Sequence, residues 1–309
     1  MISMSLEISR KVAPKTGKLP ELDNLDIYGT VIPLLEEGGD RITWISFKDR
    51  YPLDKWSENV LEGGKDHIIL PALENISEDI KTEIINNYRS NLSNKILEHK
   101  KKAGIAMTDV AGHNDEALII NAAFHQSLLN GILDHLPIRG EVPVALFENL
   151  NTRFKSTDDF KSSLALLYGE ISESGNFRYI AANTHEPILY SAQYDTMLRL
   201  KKTHNSALPI GFALSSYSGA DETGSESDII KPPYEINEID ISPGDILLLY
   251  SDGLYDHEIY LENNLEKILS ENTEKSSEEI CQIMKQDILK SQRDDDISYT
   301  IIKKHHQKL

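Results

Sequence analysis

Residues 243–253 read PGDILLLYSDG, and they contain the clearest strand signal in the sequence. Five consecutive apolar residues, 246–250, predict a buried strand. A Pro-Gly-Asp turn precedes the strand, and Ser251, Asp252 and Gly253 follow it directly. An acid at the end of a buried strand lies at the rim of the core, so Asp252 is a candidate for a site at one edge of a sheet.

The same arrangement, an aspartate beside a glycine or a second aspartate at the end of an apolar segment, recurs along the chain. The further places are Gly38-Gly39-Asp40, Asp109-Val110-Ala111-Gly112-His113 and Asp294-Asp295-Asp296. Each alone is most simply a turn in which the carboxylate binds nearby backbone, as we expect for Asp245. Together they favour a cluster, and clustered carboxylates raise one another's pKa unless a hard cation such as Mg²⁺ or Mn²⁺ neutralises them. Spacing alone leaves open whether the four places converge.

Strand and helix patterns alternate irregularly elsewhere, which favours an α+β fold with antiparallel sheets and outer helices. Helices are predicted at 115–135 and 141–154, and another begins at the capping box Ser276-x-x-Glu279. Predicted strands cover 27–34, 42–47, 104–110, 163–171, 176–182, 187–191, 208–214, 234–241, 246–251 and 297–302.

Residues 49–103 form a polar insert with one clear helix. Ser77 is a suitable N-cap, and apolar residues then recur every fourth position at Ile80, Ile84, Tyr88, Leu92 and Ile96. This stripe either packs on its own domain or binds a second copy or a regulator through residues 77–102. The predicted organisation is a leader at 1–26, one domain at 27–303 with this helical insert, and a polar tail at 304–309.

The composition excludes several classes of protein. The 309 residues carry 50 acidic against 32 basic side chains, a net charge of −18, which argues against binding to nucleic acid or to an anionic membrane surface. A single cysteine, Cys281, excludes a disulfide framework and a thiolate zinc cluster. The chain lacks a membrane-spanning apolar run and an apolar signal segment, so we expect a cytoplasmic protein.

Six segments, in order, resemble the motifs of the metal-dependent PPM (PP2C-type) protein phosphatases, especially the bacterial SpoIIE/RsbU-like branch. The Gly-Gly-Asp motif is similar to Gly38–Asp40, and the Asp-Val-x-Gly-His-Gly motif to Asp109–Asn114. The other segments are Ala182–Pro187, Leu208–Gly211, Pro243–Gly253 and Asp295–Ser298. The resemblance covers roughly residues 20 to 303 and implies a four-layer α-β-β-α sandwich of two mostly antiparallel sheets flanked by helices.

The resemblance also implies a reaction and its residues. Asp40, Asp109, Asp252 and Asp295, with the backbone carbonyl of Val110, would bind two divalent cations, Mn²⁺ or Mg²⁺. Asp109 and Asp40 would be the catalytic residues, and a metal-activated water would hydrolyse phosphoserine or phosphothreonine without a phosphoenzyme. The implied partner is a phosphorylated regulatory protein, such as an anti-sigma-factor antagonist.

Departures from the family pattern leave two alternatives open. Asn114 replaces a glycine, and Arg41, Ile42 and Thr43 follow Asp40 where the family has aromatic and acidic residues. A catalytically weak or inactive scaffold that acts through the insert helix is one alternative. A phosphoesterase for small molecules is the other, although the chain has no phosphate-binding glycine loop. His113 and His185 fit structural roles better than a general acid.

Overall fold

The computed structural model describes residues 19–34, 38–60, 76–110, 115–155, 163–199, 208–215, 230–255 and 264–305. Gly112, His113 and Asn114 of the second predicted motif lie outside these residues. The acidic segment between the strands predicted at 208–214 and 234–241 also lies largely outside them.

The strands of the described residues form two antiparallel five-stranded sheets and one short parallel pair. Sheet I has the order β1-β12-β11-β6-β7, sheet II has the order β10-β5-β4-β3-β2, and β8 pairs with β9. The strands are β1 (Leu25–Ile32), β2 (Arg41–Ser46), β3 (Lys102–Val110), β4 (Leu164–Ser172), β5 (Asn176–Ala182), β6 (Ile188–Ser191), β7 (Thr196–Arg199), β8 (Leu214–Ser215), β9 (Ile230–Lys231), β10 (Asn237–Asp240), β11 (Ile246–Tyr250) and β12 (Ile297–Lys304).

Helices flank the two sheets. They are α1 (Phe47–Arg50), α2 (Leu53–Glu58), α3 (Glu78–Glu98), α4 (Asp115–Arg139), α5 (Val144–Lys155), α6 (Asp252–Tyr255), α7 (Leu265–Glu271) and α8 (Ser277–Ile288). The predicted capping box is confirmed at α8, where the side chains of Ser276 and Glu279 each accept a hydrogen bond from the other residue's backbone N–H. Ser77 precedes α3 in an extended conformation, but its side chain makes no capping hydrogen bond.

Three apolar clusters show why the fold has four layers. Trp44, Phe177 and Leu249 belong to the cluster between the two sheets. A second cluster packs α4 and α5 against the outer face of sheet II, and a third packs α7 and α8 against the outer face of sheet I. The predicted α-β-β-α sandwich is therefore confirmed, because each sheet buries one face against its partner and the other against helices.

Local predictions differ from the structure at several places. The strand predicted at 208–214 is wrong, since its described residues form only the short β8 and an isolated bridge between Ile210 and Leu164. The sequence analysis missed β7, which extends the edge of sheet I. Strand β1 begins at Leu25, inside the predicted leader, where the side chain of Leu25 is buried against the sheets.

The stripe on α3 is only half covered by the domain. Leu92 and Ile96 are buried, whereas the side chains of Ile80 and Ile84 are 52% and 36% exposed. The N-terminal half of this helix therefore presents apolar surface to its surroundings. No helix within the described ranges is long and apolar enough to cross a membrane.

Candidate active site

Strand pairing in sheet II brings the first two predicted acids together. Strand β2 runs antiparallel to β3, and Arg41 pairs with Thr108. Asp40 lies one residue before this pair and Asp109 one residue after it, so the two carboxylates meet at the same end of the sheet. Asp40 is buried and Asp109 is partly buried. Val110, the residue proposed to offer a carbonyl oxygen, is the last residue of β3.

Sheet I brings the other two predicted acids to its own end by the same geometry. Tyr250 of β11 pairs with Tyr299 of β12, and the Ser251 N–H donates to the carbonyl of Ser298 at 2.9 Å. Asp252 therefore follows β11 where Asp295 precedes β12. Both side chains are partly exposed.

Electrostatic interactions show that these two ends form one acidic edge, comprising Asp40, Asp109, Asp252, Asp295 and Asp296. Burial, followed by the charges of Asp252, Asp295 and Asp296, raises the pKa of Asp109 to about 7. Burial, followed by the charge of Asp109, holds the pKa of Asp40 well above its usual range. The acidic edge thus brings carboxyl groups together closely enough for them to raise one another's pKa.

The donor set fits hard divalent cations. Asp40 Oδ2 is buried and has no hydrogen-bond partner among the described residues. Across those same residues, no three His, Cys, Asp or Glu side chains already stand in a metal-binding arrangement. Clustered carboxylates repel one another unless a cation offsets their charge. Oxygen ligands of this kind suit Mg²⁺ and Mn²⁺.

Asp296, which the sequence analysis left out of the site, joins the two halves of the acidic edge. The side chain is 3% exposed and accepts hydrogen bonds from the Leu34 N–H at 2.7 Å and the Gly39 N–H at 2.6 Å. A Cβ atom at Gly38 would overlap the Asp296 carboxylate, and one at Gly253 would overlap its backbone oxygen. The glycines of both motifs therefore allow the backbone to approach Asp296 closely.

A buried hydrogen-bonded chain under the acidic edge was also missed. Asn121 Nδ2 on α4 donates to the Gly39 carbonyl at 2.6 Å, and its Oδ1 accepts from Thr108 Oγ1 at 2.8 Å. His125 Nε2 lies 2.7 Å from the same hydroxyl oxygen. Burial, with a smaller effect of the Arg41 charge, lowers the pKa of His125 to about 3, so its ring is neutral. The signal for this hydrogen-bonded chain in the sequence was the presence of two polar residues, Asn121 and His125, four positions apart on an apolar helix.

Two other predicted positions lie near the ends of the strands. The ring of His185 stacks on that of Tyr250, with centroids 5.8 Å apart and an angle of 11° between the planes. This packing agrees with a structural role for His185. Asn183 has a positive φ of 54°, a conformation that asparagine tolerates better than most residues other than glycine.

Comparisons with solved structures identify the architecture. A Mycobacterium tuberculosis structure of RsbU and RsbW domains is 16% identical, with a TM-score of 0.57, over 96% of this chain and 65% of that one. The phosphatase domain with a regulatory fragment of Bacillus subtilis SpoIIE is 13% identical, with a TM-score of 0.53, over 92% of this chain and 63% of that one. RsbX in complex with magnesium is 14% identical, with a TM-score of 0.52, over 92% and 98% of the respective chains.

The chain thus spans slightly less than two thirds of the first two structures. No curated protein sequence matches it. The family profile of Stage II sporulation protein E (SpoIIE) matches residues 99–305, from the end of the insert through β12. This match covers more than half of the sequence and includes Asp109, Asp252 and Asp295. The chain therefore belongs to the SpoIIE family of PP2C-type phosphatase domains.

Proposed function

We propose that this protein is a Mn²⁺- or Mg²⁺-dependent protein serine/threonine phosphatase. The observation that carries the proposal is the convergence of five carboxyl groups at one edge, with Asp40 Oδ2 buried and unpartnered among the described residues. Membership of the SpoIIE family supports it, as does the fold shared with RsbX, whose structure contains magnesium.

Each acid has a distinct place in the proposed site. Asp40 and Asp109 would bind cations from sheet II, and Asp252 and Asp295 from sheet I. The Val110 carbonyl would add one neutral oxygen. When bound, two divalent cations lower the pKa of a water molecule and offset negative charge on the phosphoryl group. Asp109 interacts with acids of both sheets, which suits it to a shared central position.

Among the described residues, the acidic edge contains no cysteine that could act as a covalent nucleophile. Cys281 is fully buried in the cluster that packs α8 against sheet I, and burial raises the pKa of its thiol. A thiol in that state is a poor nucleophile. We therefore propose that water adds to phosphorus while the serine or threonine oxygen leaves with a proton, which yields the free alcohol and inorganic phosphate.

The proposed substrate is a phosphoserine or phosphothreonine on a regulatory protein of the anti-sigma-factor antagonist type. The fold shared with a structure that contains RsbU and RsbW domains supports this proposal. The apolar half-stripe of α3, with Ile80 and Ile84 exposed, is a suitable contact for a second copy or a regulator. A net charge of −18 disfavours strongly acidic partners.

The test is hydrolysis of an aryl phosphate and of phosphoserine and phosphothreonine peptides by the purified full chain. We expect turnover of both substrate types in Mn²⁺ or Mg²⁺, and its loss when a chelator is added. A folded protein without turnover in millimolar Mn²⁺ would favour the scaffold alternative. High turnover of a metabolite with poor turnover of phosphopeptides would favour a small-molecule phosphatase.

A further inference from the structure

The backbone of Gly39 is held from both sides. Its N–H donates to Asp296 Oδ2, and its carbonyl accepts from Asn121 Nδ2, each at 2.6 Å. Gly39 immediately precedes Asp40. Because the orientation of one peptide unit determines where the next side chain starts, these two hydrogen bonds fix the backbone from which the Asp40 side chain projects.

Asn121 is itself fixed by a second hydrogen bond. Its Oδ1 accepts the single hydroxyl proton of Thr108, so the Nε2–H of His125 donates to Thr108 Oγ1. Thr108 immediately precedes Asp109. The two hydrogen bonds of Asn121 therefore end on the residues directly before the two acids of sheet II.

Burial makes this arrangement rigid. Asn121, Thr108 and His125 are 4%, 2% and 0% exposed, so water does not compete for their polar atoms. A buried amide needs hydrogen-bond partners anywhere in a core. Asn121 uses its Oδ1 and Nδ2 atoms to connect β3 to the backbone segment before β2. These two regions carry separate motifs.

We propose that Asn121 is a positioning residue that holds Asp40 in register with Asp109 for binding of divalent cations. The inference rests on the proposed function, because it takes those two acids as cation ligands. Loss of a side chain that orients a metal ligand costs on the order of 10- to 100-fold in metal affinity. The expected effect is thus on cation binding, in addition to any loss of stability.

Asn151 provides a matched control. It is also a fully buried asparagine on a neighbouring helix, α5, where its Nδ2 donates to the Ala213 carbonyl at 2.8 Å and its Oδ1 accepts from the Gly211 N–H at 2.9 Å. Asn121→Leu and Asn151→Leu therefore remove the same chemical group from comparable surroundings. Only the first removes a contact to the residue before Asp40.

The experiment is calorimetric titration of Mn²⁺ into the full-length wild type and both variants, with thermal unfolding measured without metal. We expect Asn121→Leu to raise the Kd for Mn²⁺ about 10-fold or more. Asn151→Leu should lose stability but keep the wild-type Kd. A wild-type Kd in folded Asn121→Leu, or the same increase in both variants, would overturn the inference.

Thr108 provides a second route if Asn121→Leu does not fold. Thr108→Val removes the hydroxyl group that orients Asn121, and Thr108→Ser keeps it. We expect weaker Mn²⁺ binding in the first variant and recovery in the second, whereas a wild-type Kd in Thr108→Val would contradict the inference. A wild type that binds Mn²⁺ and hydrolyses an aryl phosphate separates such a failure from the proposed function, which fails if the folded wild type shows no turnover in Mn²⁺.

Discussion

The two ends of strand β11 carry aspartates with the same local pattern and opposite surroundings. Asp245, before the strand, has both carboxylate oxygens satisfied, by the N–H groups of Ala192 and Ser242, each at 2.9 Å. Asp252, after the strand, instead raises the pKa of Asp109, as do Asp295 and Asp296. An aspartate beside a glycine is therefore a structural turn residue at one end of the sandwich and a candidate ligand at the other.

The two ends of the sandwich also differ in their cationic side chains. At the far edge, defined by Asp245, Glu170 and the Lys303-Lys304 end of β12, Lys303 Nζ donates to the carbonyls of Thr273 and Lys275. Lys304 Nζ donates to the carbonyls of Ser174 and Ile241. The far edge thus contains charged groups of both signs, each with hydrogen-bond partners, whereas the acidic edge concentrates carboxyl groups.

The largest expected effect is the loss of activity when a single carboxylate at the acidic edge is replaced by an amide. Asp109→Asn should lower kcat/KM for an aryl phosphate by on the order of 10³-fold or more, because it removes the central acid of the cluster. Without metal, its free energy of unfolding should equal or exceed that of the wild type, since a mutually repelling charge is gone. Steady-state kinetics and urea denaturation with chelator measure the two quantities.

Asp245→Asn is the control for that exchange and should show the reverse pattern. Activity should remain, while stability falls by about 1–3 kcal/mol because a buried acceptor of two backbone N–H groups is weakened. Equal losses of activity in Asp109→Asn and Asp245→Asn would show that the two ends do not differ in function.

Asp296 tests whether the acidic edge also needs a structural anchor. Asp296→Ala leaves the N–H groups of Leu34 and Gly39 without their acceptor, so we expect a loss of about 2–5 kcal/mol of stability. The Mn²⁺ concentration for half-maximal activity should rise in the same variant. Asp296→Asn keeps one acceptor oxygen, so its stability and its Mn²⁺ requirement should lie between those of the wild type and those of Asp296→Ala. An unchanged Mn²⁺ requirement in folded Asp296→Ala would restrict Asp296 to stability alone.

Acid stability tests the far edge. Burial raises the pKa of Glu170, but the hydrogen bond and charge of His99 lower it. The charge of Lys102 and the hydrogen bond from Tyr168 lower it further, so the net shift is downward. A carboxyl group with a lowered pKa stabilises the fold above its usual pKa of 4.5 and loses that contribution as the pH falls. Below about pH 4.5, Glu170→Gln should therefore lose less stability than the wild type in urea denaturation. Parallel loss in both proteins would contradict this assignment.

The smallest effect on the domain itself is expected on α3. Ile80→Lys with Ile84→Lys changes exposed side chains and should leave stability and aryl phosphate hydrolysis unchanged. If this surface binds a second copy or a regulator, the molar mass by light scattering or the hydrolysis of a phosphoprotein should change. Glu83→Lys, at an exposed position on the same helix, is the control. No change in either measurement would contradict the binding of a second copy or a regulator at this surface.

Residues in regular patterns were predictable from the sequence, and the contacts between distant segments were not. The apolar run 246–250 and the Ser276 capping box identified their elements, since both depend on neighbours in the chain. The resemblance to a family singled out Asp40, Asp109, Asp252 and Asp295. Their mutual pKa effects are consistent with one cluster, but their role as ligands stays a prediction.

Asp296 and Asn121 show why the remainder was missed. Asp296 looks like one of three equivalent acids in the sequence, and only the packing of Gly38 and Gly253 distinguishes it from Asp295. Asn121 looks like an interruption of an apolar helix until β3 and Gly39 are placed beside it. Strand β7 was missed because its four residues pair only at the edge of sheet I.

The most direct test of the central claim is a crystal structure of the full chain soaked in Mn²⁺, with anomalous differences measured at the manganese edge. We expect two peaks at the acidic edge, within coordination distance of oxygen atoms from Asp40, Asp109, Asp252 and Asp295. Peaks located elsewhere, or an acidic edge without a peak in a fully soaked crystal, would contradict it.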